Sequence, residues 1–220
     1  MATELITALD FPDAESALEL VKKVGNAGDF YKVGLELFIS QGTKILPALK
    51  DMGKRIFLDL KIHDIPNTAS KAVLSCMSYE VDIMNVHAQG GIEMMSTCAK
   101  TLDEYCYAKN IKKPLLIAVT LLTSLDESHL KRFHINAPSP QDYVITLARA
   151  AQEAGLDGVV SSAQETPAIK NALGKDFITV TPGIRMADGK LDDQKRVVTP
   201  EDALKMGTNY IVVGRPITQS

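Results

Sequence analysis

The sequence has no tryptophan, and only three cysteines and four histidines among 220 residues. Cys76, Cys98 and Cys106 are an odd set without CxxC or metal-ligand spacing, which argues against a disulfide framework and predicts reduced, helix-packed thiols in a cytoplasmic protein. An excess of one charge is also missing. With 24 Lys and Arg against 27 Asp and Glu, the net charge of −3 gives no general attraction to nucleic acid or to an anionic membrane. Any phosphate site must therefore be local. The longest strongly apolar run, residues 115–122, is too short to span a bilayer and contains Thr120. No basic segment followed by an apolar stretch opens the chain, so a signal peptide is not expected. A Ser-His-Asp arrangement, a dinucleotide glycine motif and internal sequence repeats are all missing as well.

What is present is an ordinary globular composition, 45% hydrophobic and 23% charged, long enough for one large domain with a useful core. Strand-like apolar runs alternate with helical patterns along the whole chain. The strand-like runs cover residues 5–10, 30–34, the stretch from Arg55, then 81–86, 115–120, 157–161, 177–181 and 210–213. Between them, Ala14, Ala17, Leu18 and Val21 share one helical face that Gly25 closes. Thr199 is a good N-cap, with Pro200 at the first helical position. Residues 121–140 form a longer connection, and 186–198 a polar one that reads as mobile.

Eight strand–helix units without a linker predict an α/β fold, a (β/α)8 TIM barrel occupying residues 1–220 as a single domain. An open doubly wound sheet is the other arrangement that alternation allows. The chain stops shortly after the eighth strand, so the pattern predicts a barrel whose last helix is missing from it.

The organising stretch is Asp59-Leu60-Lys61-Ile62-His63-Asp64. Side chains alternate along a strand, so Asp59 and Lys61 point to one face. In a barrel, residues at the C-terminal ends of strands surround a pocket. Asp10 ends the first strand, Lys32 lies in the second, and Asp59, Lys61 and Asp64 belong to the third. Alternating charges at one barrel mouth satisfy each other, and neighbouring carboxylates keep such lysines protonated. An inert ion-pair network sealing the barrel is the structural alternative.

Gly183 and Arg185 after the seventh strand, with Gly214 and Arg215 after the eighth, stand where this fold usually binds phosphate. Glycine lets backbone N–H groups approach an anion, and arginine adds a charged fork. His87 ends the fourth strand. Without a second ligand at good spacing, it reads as a hydrogen-bonded structural histidine rather than a metal ligand. No metal site is predicted.

With Asp59-x-Lys61-x-x-Asp64 and the continuation Ile65-Pro66-Asn67-Thr68 in view, the chain resembles the orotidine 5′-monophosphate decarboxylases. The match extends through Lys32-Val33-Gly34, Leu122-Thr123-Ser124, Thr181-Pro182-Gly183-Ile184-Arg185, Asp193-Gln194 and Gly214-Arg215-Pro216. The resemblance implies a cofactor-free carboxy-lyase of de novo pyrimidine biosynthesis, making uridine 5′-monophosphate and carbon dioxide. It implies Lys61 as proton donor within a row of Lys32, Asp59, Lys61 and Asp64, and a cytoplasmic homodimer in which Asp64 and Thr68 reach the partner's site. It further implies Asp10 on the ribose, Thr123 with Ser124 beside it on the base, Arg185, Gly214 and Arg215 on the phosphate, and Gln194 bridging base and phosphate. Two alternatives stand beside it. A magnesium-dependent keto-sugar phosphate enzyme would carry an acid where the second strand has Lys32, and a silent nucleotide-binding barrel would have no need of the charge row.

Overall fold

The structure is a computed structural model that describes residues 3–185 and 198–218. Its eight strands are β1 (Glu4–Ala8), β2 (Phe30–Gly34), β3 (Arg55–Ile62), β4 (Ile83–His87), β5 (Leu115–Val119), β6 (Gly158–Val160), β7 (Ile178–Thr181) and β8 (Tyr210–Val213). All pair in parallel and in chain order, and β1 pairs with β8 to close the barrel. The helices are α1 (Ala14–Val24), α2 (Leu35–Gln41), α3 (Ile45–Asp51), α4 (Pro66–Cys76), α5 (Gly91–Lys109), α6 (Glu127–Arg132), α7 (Pro140–Glu153), α8 (Thr166–Leu173), α9 (Pro200–Lys205) and the single turn α10 (Arg215–Thr218). The alternation in the sequence is thus a closed (β/α)8 barrel. Among the described residues no helix is long and apolar enough to cross a membrane.

Local chemistry sets the helix ends. The Asp13 carboxylate accepts the Ser16 N–H at 2.8 Å and caps α1, which ends at Gly25 with φ +58°. Thr199 accepts the Asp202 N–H at 3.2 Å and caps α9, with Pro200 at its start. Two connections carry an additional helix. The segment between β2 and β3 forms two helices, α2 and α3, and the long connection after β5 contains α6.

Two apolar layers hold the barrel. Inside it, alternate residues of successive strands pack together: Ile6, Ala8, Phe30, Phe57, Ile83, Ile117, Val180 and Val212. Outside it, the other face of each strand, including Tyr31, Val33, Ile56, Leu58, Met84 and Val86, packs on the helices. Such filled layers close the lower barrel and leave the C-terminal ends of the strands to form a pocket. At Gly158 a Cβ would lie 2.3 Å from the Ile178 carbonyl oxygen, so only glycine lets β6 approach β7 this closely.

One irregularity breaks the ladder. Leu58 pairs with Met84 and Ile62 with Val86, so Asp59, Leu60 and Lys61 together face the single residue Asn85 of β4. A bulge re-aims side chains, and this one lies at the charged end of β3.

Candidate active site

The interior pattern that places Phe30 and Phe57 in the core carries Lys32 and Asp59 one step higher in the same strands. Both are largely buried, with side chains 11% and 12% exposed. Burial of two charges is tolerable only when they are paired. Lys32 Nζ donates to Asp10 Oδ1 at 2.9 Å and lies 3.5 Å from Asp59 Oδ2. Lys61 Nζ donates to Asp59 Oδ1 at 2.7 Å. The result is a continuous row, Asp10–Lys32–Asp59–Lys61, across three adjacent strands. A Cβ at Gly34 would come within 2.8 Å of Lys32 Nζ, so the glycine leaves room for the ammonium.

The row fixes the charge of Asp59 and Lys32. Burial pushes the Asp59 carboxyl up, but Lys32 and Lys61, with hydrogen bonds from Lys61 and Asn85, outweigh it and hold Asp59 below the usual carboxylate range. Burial likewise depresses Lys32, yet Asp59 and Asp10 overcome it and hold the ammonium above its ordinary value. A fixed carboxylate thus sits between two amines.

Lys61 has φ +53°, in the left-handed region that non-glycine residues rarely occupy. Backbone strain of this kind costs of order 1–3 kcal/mol and clusters where geometry serves function. The strained residue is the one whose ammonium reaches Asp59 Oδ1 at 2.7 Å. The Lys61 N–H, displaced from the ladder, donates to Asn85 Oδ1 at 2.7 Å, and Asn85 Nδ2 donates to Asp59 Oδ1 at 2.7 Å.

These side chains open onto a cavity of about 350 Å³ at the C-terminal end of the barrel. Asp10, Lys32, Asp59 and Lys61 line one wall, Thr123 and Ser124 beyond β5 another, and Gly183, Arg185, Gly214 and Arg215 beyond β7 and β8 a third. Val119, Val160 and Val212 supply an apolar surface between them. An anion could sit against the arginines, with a planar group extending toward the lysines. Asp10 is the hinge between the walls: a Cβ at Gly214 would lie 3.5 Å from Asp10 Oδ2.

Two residues singled out in the sequence are not in this cavity. Asp64 and Thr68 are exposed beyond β3, and Asp64 accepts the Ile65 N–H at 2.7 Å beside a separate shallow depression lined by His63, Pro66 and Gln89. Gln194 lies outside the described residues.

His87 corrects an expectation. Its Nδ1 is buried without a hydrogen-bond partner among the described residues, and its ring lies 5.4 Å from that of His63. Burial, His63 and Lys61 lower its pKa against an opposing pull from Asp59. The His63 imidazole, tilted by 31°, is the ring that lies against His87. Among the described residues no group of three or more His, Cys, Asp or Glu could hold a metal ion. Asn85 is the participant that the sequence reading missed. Its signal was a lone amide inside the apolar run Ile83–His87.

Comparison with known proteins finds relatives along the whole chain. A profile of the orotidine 5′-phosphate decarboxylase / HUMPS family matches residues 3–220. The orotidine 5′-phosphate decarboxylase of Carboxydothermus hydrogenoformans is 46% identical over 217 residues, covering 99% of this chain and 90% of that protein. That of Pseudoalteromonas translucida is 48% identical over 217 residues, covering 99% and 91%. Among solved structures, orotidine 5′-phosphate decarboxylase from Lactobacillus acidophilus superposes with a TM-score of 0.86 at 36% identity, covering 99% of this chain and 92% of that one.

Proposed function

This chain belongs to the orotidine 5′-phosphate decarboxylase / HUMPS family, and on that premise we propose that it converts orotidine 5′-monophosphate to uridine 5′-monophosphate and carbon dioxide without a cofactor, with Lys61 as the proton donor. The observation that carries the proposal is the row Asp10–Lys32–Asp59–Lys61 opening onto the cavity that also holds Arg185 and Arg215.

The chemistry needs such a row. Breaking the bond between ring carbon C6 and the carboxylate leaves the electron pair in an sp2 orbital that the ring π system cannot absorb. A preorganised ammonium beside that carbon stabilises the charge as it develops and then delivers a proton to it. Lys61 loses that proton to C6 and regains one from solvent. Asp59 fixes the ammonium and places a negative charge near the departing carboxylate. Lys32 keeps Asp59 ionised and, with Asp10, faces the ribose. Thr123 meets the base, with Ser124 beside it. Gly214, Arg185 and Arg215 hold the phosphate, and Gln194 bridges base and phosphate. Binding energy from the remote phosphate is then available to the reacting end.

The proposal includes a cytoplasmic homodimer whose sites are completed by Asp64 and Thr68 of the neighbouring subunit. It is supported by the exposure of both residues outside their own cavity. Large exposed apolar side chains on three consecutive strand-to-helix segments also support it: Leu35 and Ile39 after β2, Ile65 after β3 and Ile92 after β4.

The reaction is tested by mixing orotidine 5′-monophosphate with the protein and following its ultraviolet absorbance. A steady fall is expected, and a flat trace with folded protein overturns the proposal. Sharing is tested by refolding Lys61→Ala and Asp64→Ala together. Each alone should be nearly inactive. Random pairing makes about half the dimers mixed, each with one intact site, so about a quarter of wild-type activity should return. An inactive mixture containing confirmed mixed dimers would place Asp64 in its own subunit's site.

A further inference from the structure

We infer that Asn85 is a positioning residue for the decarboxylation: its side-chain amide sets where the Lys61 ammonium and the Asp59 carboxylate stand, without itself meeting substrate. The inference rests on the reading of Lys61 as proton donor given above. Asn85 is 1% exposed and is not among the residues lining the cavity, so it can act only through its neighbours.

The geometry is two-handed. Its oxygen accepts the Lys61 N–H and its nitrogen donates to Asp59 Oδ1, both at 2.7 Å. A carboxylate cannot donate and an N–H cannot accept, so only one orientation of the amide satisfies both partners. Asp59 Oδ1 is the same oxygen that receives Lys61 Nζ, also at 2.7 Å. The amide thus closes a ring through Lys61 backbone, Lys61 side chain and Asp59. It does so at the one place where three residues of β3 oppose a single residue of β4, and where Lys61 adopts φ +53°. Regular strand pairing would give the Lys61 N–H a carbonyl partner. Here a side chain replaces it, and that substitution is what lets Lys61 leave the strand path toward the cavity.

A purely structural role, satisfying an orphaned N–H, would serve the bulge equally well without the second bond to Asp59. The two roles separate by pH. The groups facing Asp59 and Asn85 are Lys61 on the same strand, Lys32 on β2 with Asp10 beyond it, and His87 on β4 with His63 against it. The Asn85 bond is one of the influences holding Asp59 below the usual carboxylate range. Removing it should therefore move the acid limb of kcat/KM to higher pH.

Turnover of orotidine 5′-monophosphate is measured against pH for wild type, Asn85→Ala and Asn85→Asp, with circular dichroism as a check on folding. Asn85→Ala should lose roughly 10²-fold in kcat, the scale for misplacing a reacting group by about an ångström, with little change in KM and with the acid limb moved upward. Asn85→Asp keeps the acceptor and, when protonated, the donor. Two carboxyls in contact share one proton, and the lysines beside Asp59 leave that proton on the new acid. Its activity relative to wild type should therefore rise as the pH is lowered. If Asn85→Ala does not fold, Asn85→Asp decides alone. Turnover of Asn85→Ala within threefold of wild type overturns the inference. So does an Asn85→Asp ratio that is flat with pH, which would mark Asn85 as mere support for the bulge. Inactive wild-type protein would instead overturn the reading of the reaction itself.

Discussion

The same three strands carry a charged cluster at each end, and the two are built differently. At the N-terminal end, Arg55 of β3 pairs with Glu4 of β1 and lies 4.1 Å above the Phe30 ring of β2, which in turn meets Tyr210 edge-on at 5.9 Å. These side chains are 35% and 46% exposed, and water screens them. At the C-terminal end, Lys32 and Asp59 are only 11% and 12% exposed, share partners on both sides, and adjoin a residue in a strained backbone conformation. Both clusters stand at an end of the barrel. Only the upper one buries charge against a cavity, keeps two amines on one carboxylate, and retains strain that folding alone would select against. The comparison teaches that a charge pair becomes informative about function when its cost exceeds what sealing the barrel requires.

That contrast can be broken by measurement. Lys32→Ala leaves Asp59 buried with half its compensation, and unfolding by denaturant should show a loss of about 3–5 kcal/mol. A loss near zero would mean that water reaches Asp59 and that the upper row is a surface network like the lower one. Arg215→Ala should weaken substrate binding by about 2–4 kcal/mol, the scale for removing one partner of a buried charge pair. The deficit should largely vanish with orotidine lacking its phosphate, and its persistence there would place Arg215 away from the phosphate. Arg55→Ala should cost about 0–1 kcal/mol of stability with turnover unchanged. A larger loss would show that its stacking on Phe30, not its charge, holds the lower end.

Much of the fold was legible in the sequence because its causes are local. Alternation of strand and helix patterns, the cap at Thr199, and the apolar strand runs each act over a few residues, and the closed barrel follows from repeating them. The row was legible for the same reason: Asp59 and Lys61 are two apart, and Lys32 lies inside an apolar strand. What stayed hidden depends on pairing between strands. The bulge that turns Lys61 arises from the register of β3 against β4, which no single-strand pattern encodes. Asn85 gains its meaning only opposite that bulge. His87 was expected to find a hydrogen bond, but the packing brought His63 over it instead. Asp64 and Thr68 stand within a few residues of Lys61 in sequence yet outside its cavity, because the chain leaves the barrel wall after Ile62.

The most direct test sets the two ends of β3 side by side. Turnover of orotidine 5′-monophosphate is measured for Lys61→Ala and Arg55→Ala under the same conditions, with folding of both verified. With Lys61 as the acid, Lys61→Ala should fall by roughly 10²–10⁴-fold or more while Arg55→Ala stays at the wild-type rate. Turnover by Lys61→Ala within a few-fold of wild type would contradict the account.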